Sequence, residues 1–251
     1  MCTLIVMRHV FPDHPLVVAS NRDEQAGRAS APAAWHEEEG KRIYAPTDLV
    51  RGGTWLGVSE RGLFAAITNR DETPHQSGCA SRGRLVTDAL RAPNVRAAAS
   101  HVAAALIEHR YNGFHLVIVD VRDAFLCVGY EHRVEVERMG DGISVVTGYG
   151  TTRSHVPRTV EIERRFEEIV CSQGPTPTAL DALLNFHADH RPRDAACVHD
   201  PDESHQTVSS MLVRADRDWS RFEIWERNGP ACSGPFVSST VIPISRMEHR
   251  S

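Results

Sequence analysis

The order of strand-like and helix-like segments is the feature that most restricts the fold of this chain. Runs of β-branched and apolar residues come in adjacent groups, and two pairs of segments with helical periodicity separate them. The strand-like runs are Thr3–Val10, Leu16–Ser20, Trp55–Ser59, Leu63–Asn69, Phe114–Val121, Ala124–Gly129, Arg133–Arg138, Ile143–Thr147, Thr207–Ala215, Arg221–Arg227 and Phe236–Ile242; the helical ones are Ser81–Leu90, Val95–His109, Arg158–Cys171 and Thr178–Ala188. Because no alternating strand–helix–strand pattern appears, we expect an α+β fold in which two antiparallel sheets are sandwiched between helical layers.

The length of the chain fits one domain over residues 1–251, because no repeat, linker or low-complexity segment divides it. The segment Gly27–Asp48 is rich in alanine, proline and charge, and we expect it to be a long loop. Ser81 and Asn94 stand where they can cap the first two helices.

Charge and apolar content exclude two classes of partner. The net charge of −5 argues against a nucleic-acid binder that neutralises phosphates. No apolar run approaches the ~18 to 20 residues needed to cross a bilayer, so we expect no membrane insertion. The six cysteines are scattered without a CxxC pair, which predicts a cytoplasmic protein with reduced thiols. Oligomeric state cannot be read from the sequence, which leaves room for a homo-oligomer.

Cys2 is the most informative position of the chain. A side chain this small permits methionine aminopeptidase to remove Met1, which leaves an N-terminal cysteine. Such a residue carries a nucleophilic thiol beside its own α-amine, whose ordinary pKa of ~7.7 to 8.0 suits proton transfer at neutral pH. The alternative is an arbitrary second residue at the start of an apolar strand.

Several ordered motifs follow Cys2 in the first half of the chain. They are Asn-Arg-Asp-Glu at 21–24, Gly-Gly-Thr-Trp-Leu-Gly at 52–57, Gly-Leu-Phe-Ala-Ala-Ile-Thr-Asn at 62–69, Ser-Arg-Gly at 81–83 and Tyr-Asn-Gly-Phe at 111–114. Together they closely resemble the NRDE family, whose eukaryotic members are called transport and Golgi organisation 2. The resemblance covers roughly residues 1–130 and implies the N-terminal-nucleophile hydrolase fold.

The second half resembles a different branch of that fold. Segments 187–190, 197–199, 206–210 and 229–232 are similar to the tail of the penicillin V acylase, bile salt hydrolase and isopenicillin N acyltransferase group. Members of that group are cysteine N-terminal-nucleophile enzymes that act on non-peptide amides.

The resemblance implies a role for each candidate catalytic residue. Cys2 would attack the carbonyl carbon, and Asp23 would hold the α-ammonium. Asn69 would stabilise the oxyanion, and Arg22 would supply a cation that assists thiolate formation. Asn21 would donate a hydrogen bond to the substrate or to a loop. The competing interpretation of Asn21 and Asp23 is that they only form turn and cap bonds.

Five further positions are expected to contact the substrate. The acylases have an arginine where this chain has Ser20, and an asparagine oxyanion donor where it has Gly148. A backbone N–H of Gly148 or Tyr149 would replace that donor, and Arg193 would replace a second arginine that is missing. Trp55 either stacks on the substrate or packs in the core. The substrate pocket would be lined partly by Gly27–Asp48 and Arg70–Ala80, which are expected to be loops.

We expect no metal and no cofactor. His187, His190, Cys197 and His199 are ligand types that zinc accepts, but their spacing is atypical, and scattered surface histidines explain them more economically. The expected partner is a small acylated substrate, and the expected activity is a cysteine amidohydrolase with an acyl-thioester intermediate. An acyltransferase, or a non-catalytic haem or lipid carrier on the same fold, is the alternative.

Overall fold

The computed structural model describes residues 2–152, 155–185, 196–198, 205–229, 231–236 and 238–245. Fourteen strands lie in this part of the chain: β1 Thr3–Phe11, β2 His14–Gln25, β3 Ser30–Glu38, β4 Lys41–Asp48, β5 Leu56–Ser59, β6 Phe64–Asn69, β7 Tyr111–Val119, β8 Ala124–Glu131, β9 Arg133–Arg138, β10 Gly142–Thr147, β11 Gly150–Thr151, β12 His205–Ala215, β13 Arg221–Asn228 and β14 Ser239–Pro243. The helices are α1 Arg82–Leu90, α2 Val95–Glu108, α3 Pro157–Arg165, α4 Cys171–Gln173 and α5 Pro177–Leu184, with a π-helical turn at Phe166–Val170 and a 3₁₀ turn at Ala231–Ser233.

The described residues form two compact units, and each unit takes three separate stretches of the chain. The first comprises those within Met1–Arg28, Asp141–Ala215 and Glu223–Thr240, and the second those within Ala29–Gly140, Asp216–Phe222 and Val241–Ser251. The prediction of a single domain over 1–251 stays a prediction.

The first sheet, most of whose residues belong to the first unit, has seven strands in the order β11-β10-β1-β2-β12-β13-β14. β1 is an inner strand that pairs antiparallel with β2 and β10, and β2 pairs antiparallel with β12. Alternate residues of these strands, among them Ile5, Met7 and Ala19, pack against α3 and α5 in one apolar cluster. Thr3, Asn21 and Asp23 share that periodicity, so their side chains lie on the helix-covered face.

The second unit contains a seven-stranded sheet in the order β3-β4-β5-β6-β7-β8-β9. Its neighbouring strands are all antiparallel, and α1 and α2 cover one face through a cluster that includes Leu85, Val102, Phe114 and Leu116. Two antiparallel sheets with helices packed on them confirm the predicted α+β class. No described helix is long and apolar enough to cross a membrane.

The prediction of a loop over Gly27–Asp48 is wrong, because this segment forms the hairpin of β3 and β4. β3 is an edge strand, where charge and proline are tolerated, and its register shifts between Ala31 and Ala34 around Pro32. Trp35 packs edge-on against Tyr44 across the hairpin, with ring centroids 5.7 Å apart. Because β3 lies at the edge of the sheet, a segment rich in charge and proline can form a strand there instead of the predicted loop.

Two predictions about helices also need correction. Ser81 precedes α1 but makes no side-chain cap bond, because its hydroxyl donates to the carbonyl of Gly52. The predicted helix over Arg158–Cys171 is divided into α3, the π-helical turn and α4. Asn94, in contrast, caps α2 as predicted, since its side chain accepts from the N–H of Ala97 at 2.9 Å.

We expect Asn94→Ala to lower the free energy of unfolding by about 1 kcal/mol, because it leaves a first-turn N–H of α2 without its acceptor. Urea unfolding measures this effect. Ser100→Ala is the matched control: Ser100 is exposed on the same helix and only returns a bond to the Arg96 carbonyl, so its loss should cost little. Equal losses in the two variants would contradict the assignment of the cap.

Candidate active site

Cys2 directly precedes β1, an inner strand of the first sheet. The next residue, Thr3, pairs with Asn21 on one side and Thr147 on the other. The Cys2 thiol is half-buried and donates to the main-chain carbonyl of Asp23, with 3.9 Å between Sγ and O. Burial raises the pKa of this thiol, the nearby Asp23 raises it further, and Arg22 acts in the opposite direction. The thiol therefore needs a base to become a nucleophile at neutral pH.

The Asp23 carboxylate is buried and has partners from two other elements. Its Oδ1 accepts a bond from the Thr207 hydroxyl at 2.6 Å, and its Oδ2 lies 3.8 Å from Nη1 of Arg158. Only 1% of either charged side chain is exposed. Arg158 also donates to the Thr3 hydroxyl, at 3.4 Å. The cation beside this buried carboxylate favours its ionised form.

Thr207 fixes the orientation of the Asp23 carboxylate. Its hydroxyl accepts the N–H of Val198 at 2.8 Å and donates its own hydrogen to Asp23. The register between β12 and β2 shifts between Thr207 and Ser209, and Thr207 pairs with Asp23 on one side of that irregularity. The Thr207 hydroxyl hydrogen is therefore used in the bond to Asp23, and this bond fixes the orientation of the Asp23 carboxylate.

Asn21 holds the protein's own main chain. Its amide nitrogen donates to the carbonyls of Leu184 and Ala196, at 3.1 and 2.8 Å, and its oxygen accepts from the Ser210 hydroxyl at 2.7 Å. Both amide hydrogens and the oxygen are used, so of the two roles expected for Asn21 the structure shows the bond to the chain rather than one to a substrate.

Ser20 and Arg22 alternate along β2 with Asn21 and Asp23, and their side chains therefore lie on the other face of the sheet. Both are buried. Arg22 has Glu24 at 3.9 Å, and Arg28 lies 3.5 Å from the same carboxylate. Arg22 thus supplies a partly balanced positive charge near Cys2, consistent with its lowering effect on the pKa of the thiol.

Gly148 and Tyr149 form the turn between β10 and β11, directly after the residue that pairs with Thr3. The Tyr149 N–H donates to the Thr147 hydroxyl at 3.3 Å, and that hydroxyl donates to the Gly150 carbonyl. The Tyr149 N–H therefore serves the turn itself. The prediction that a backbone N–H in this turn binds an oxyanion therefore stays with Gly148.

The remaining predicted site residues lie elsewhere. Asn69 ends β6 in the second unit, half-buried and paired with Phe114, and Trp55 precedes β5 with its carbonyl bonded to the N–H of Ile67. Their predicted roles stay predictions. Arg193 lies outside the described residues, as do His187, His190 and His199, so the metal hypothesis rests largely on residues that the structure does not describe.

Sequence reasoning missed Arg158 and Thr207. One signal for Arg158 exists: it follows Pro157 in the first turn of α3, where the helix dipole disfavours a cation. An arginine at such a position indicates a compensating anion nearby. Thr207 carries no comparable signal, because a threonine in a strand is ordinary.

The solved structures that are similar to this chain share its fold. The Caenorhabditis elegans N-acylethanolamine-hydrolyzing acid amidase ortholog is 12% identical, with a TM-score of 0.52 over 84% of this chain and 92% of that one. A conjugated bile acid hydrolase from Clostridium perfringens, solved with alanine in place of its second-position cysteine, is 10% identical, with a TM-score of 0.59 over 99% of this chain and 94% of that one. The likeness shows the N-terminal-nucleophile hydrolase fold.

Comparison of sequences identifies a second group of related proteins. The human transport and Golgi organization protein 2 homolog is 35% identical over 112 residues, which are 43% of this chain and 40% of that protein. An uncharacterised protein of Saccharomyces cerevisiae is 34% identical over 91 residues, 34% of this chain and 28% of that protein. The matches thus span two fifths or less of these relatives. The sequence model of Transport and Golgi organisation 2 matches residues 1–235, so the chain belongs to that family.

Proposed function

We propose that this protein is a cysteine N-terminal-nucleophile amidohydrolase that cleaves a non-peptide amide of a small acylated compound. The observation that carries the proposal is the Cys2 thiol at the start of β1, bonded to the main chain of Asp23, whose carboxylate accepts a bond from Thr207 and lies beside Arg158. The names of the two structural neighbours, an N-acylethanolamine-hydrolyzing amidase and a conjugated bile acid hydrolase, support the same reaction class.

The reaction begins once Met1 has been removed. The free α-amine of Cys2 takes the thiol proton, and the sulfur attacks the amide carbon to form a C–S bond and a tetrahedral oxyanion. The amine then passes the proton to the leaving nitrogen as the C–N bond breaks, which releases an amine and leaves an acyl-thioester. Water attacks the thioester, the thiol regains a proton, and the carboxylic acid departs.

The base in this scheme follows from the environment of the thiol. Because burial raises the pKa of Cys2, the thiol is protonated at neutral pH and cannot react without a proton acceptor. An α-amine with a pKa of ~7.7 to 8.0 is bonded to the same residue and needs no further positioning. In the proposed reaction Asp23 orients this amine, and the backbone N–H of Gly148 stabilises the oxyanion.

A panel of N-acyl amides, including N-acylethanolamines and conjugated bile acids, tests the proposal with a mass-spectrometric readout. We expect at least one member to be hydrolysed and to leave an acyl mass on the Cys2 peptide after rapid quenching. Cys2→Ala should remove both signals, whereas Cys171→Ala should keep them, because Cys171 is an exposed thiol on α4.

Two other outcomes would overturn the hydrolase proposal. An N-acylated product that forms only when an amine is added would identify an acyltransferase. Binding of an acyl chain or haem that survives Cys2→Ala, with no turnover of any panel member, would identify a carrier. The cytoplasmic location stays part of the proposal, and cell fractionation tests it.

A further inference from the structure

Arg158 is a cation that helix packing alone does not explain. It lies in the first turn of α3, where the dipole disfavours positive charge, and 1% of it is exposed. An apolar side chain would suit a helix that packs on the cluster of Ile5, Ile162 and Leu183. Burying an arginine there is unfavourable unless a charged partner compensates for its lost hydration.

The partner is Asp23, which needs a cation as much as Arg158 needs an anion. A carboxylate buried without one would take up a proton, because burial disfavours its charged form. Arg158 lies 3.8 Å from Oδ2, while Thr207 bonds Oδ1 at 2.6 Å. Nη1 of the same guanidinium reaches the Thr3 hydroxyl, one residue from Cys2. Arg158 therefore links the carboxylate to the start of β1.

We propose that Arg158 is a positioning residue that keeps Asp23 ionised and directs its carboxylate to the N-terminal end of β1, where the α-amine of Cys2 becomes free. This inference rests on the proposed function, because it concerns the base of that reaction. Other charged groups near Cys2 and Asp23 are Arg22 and Glu24 on β2, and Arg28, which pairs with Glu24.

The rate at which iodoacetamide alkylates Cys2 between pH 5 and 9 tests the inference without knowledge of the substrate. The protein used is the full chain whose intact mass shows that Met1 has been removed, and the exposed Cys171 is the internal reference. We expect Arg158→Met to move the midpoint of the Cys2 profile to lower pH by about one unit and to speed alkylation at pH 7 up to about tenfold, because a protonated Asp23 no longer raises the pKa of the thiol. Arg158→Lys keeps the charge and should stay within about threefold of the wild type.

Arg227→Met is the matched control. Arg227 is also a buried arginine of the first unit, and it pairs with Asp181 at 2.8 Å. Its loss should reduce stability without moving the Cys2 profile. The inference is overturned if Arg158→Met leaves the profile unchanged, or if Arg227→Met shifts it equally.

Two further outcomes are distinguishable. If Arg158→Met does not fold, the double variant of Arg158→Met with Asp23→Asn leaves no unpaired buried charge, and the same shift of the Cys2 profile to lower pH is expected there. A wild-type profile would refute the inference. Retention of Met1 in the wild type would instead refute the proposed function together with the inference. A processed protein that hydrolyses amides, with an unaltered profile in Arg158→Met, would refute the inference alone.

Discussion

Protein with two additional residues in front of Cys2 is expected to turn over the substrate found with the panel about 10²- to 10⁴-fold more slowly than the processed protein. The extension leaves the thiol and all the side chains around it in place. It converts the α-amine of Cys2 into an amide, which cannot accept a proton from the thiol. The initial rate of amide hydrolysis, measured by mass spectrometry, gives the ratio.

Removal of the extension provides the control. A protease that cuts directly before Cys2 should restore the rate of the processed protein, and the same treatment of Cys2→Ala should restore nothing. If the extended protein hydrolyses the amide at the full rate, the α-amine is not the base. In that case Cys2 acts as an ordinary cysteine nucleophile or has no part in the reaction.

The second large effect concerns stability. Removal of one member of the buried pair, by Arg158→Met or by Asp23→Asn, is expected to lower the free energy of unfolding by about 3–5 kcal/mol. Arg158→Met leaves the buried Asp23 carboxyl without its cation, and Asp23→Asn leaves the buried Arg158 without its anion. The double variant should recover most of this loss, since it buries neither charge. Urea unfolding of the four proteins gives the coupling energy.

The separation of 3.8 Å between Nη1 and Oδ2 favours the lower end of that range. Thr207→Val serves as a comparison, because it removes the other partner of Asp23 without removing a charge. Additive losses in the single and double variants would show that Arg158 and Asp23 do not depend on each other.

Much of the fold was predictable because local patterns agree with it. Runs such as Leu63–Asn69 and Val95–His109 have clear strand or helical periodicity, and the structure keeps them within one or two residues. The hairpin of β3 and β4 was not predictable in the same way. Its stability comes from contacts across the strands, such as Arg42 over the Trp35 ring at 4.3 Å, which the composition of the segment hides.

The candidate site likewise contains residues that local motifs predict and residues that only the tertiary structure brings together. Cys2 and Asp23 belong to short motifs near the N-terminus and were found from them. Arg158 and Thr207 reach the same point from 155 and 184 residues further along the chain than their partners Thr3 and Asp23. Such contacts are decided by strand order and by the placement of α3, and a single sequence does not contain that information.

The inner position of β1 in its sheet has a consequence for synthesis on the ribosome. Its neighbour β10 begins at Gly142, and β12, which completes the surroundings of Asp23, begins at His205. At 5–20 residues per second, synthesis reaches β10 about 6 seconds or more after the N-terminal hairpin, and β12 about 9 seconds or more after it. In the proposed reaction, methionine aminopeptidase would act in this interval, before β10 and β12 pair with the hairpin. The order of the strands would then place the removal of Met1 before the completion of the site that depends on it.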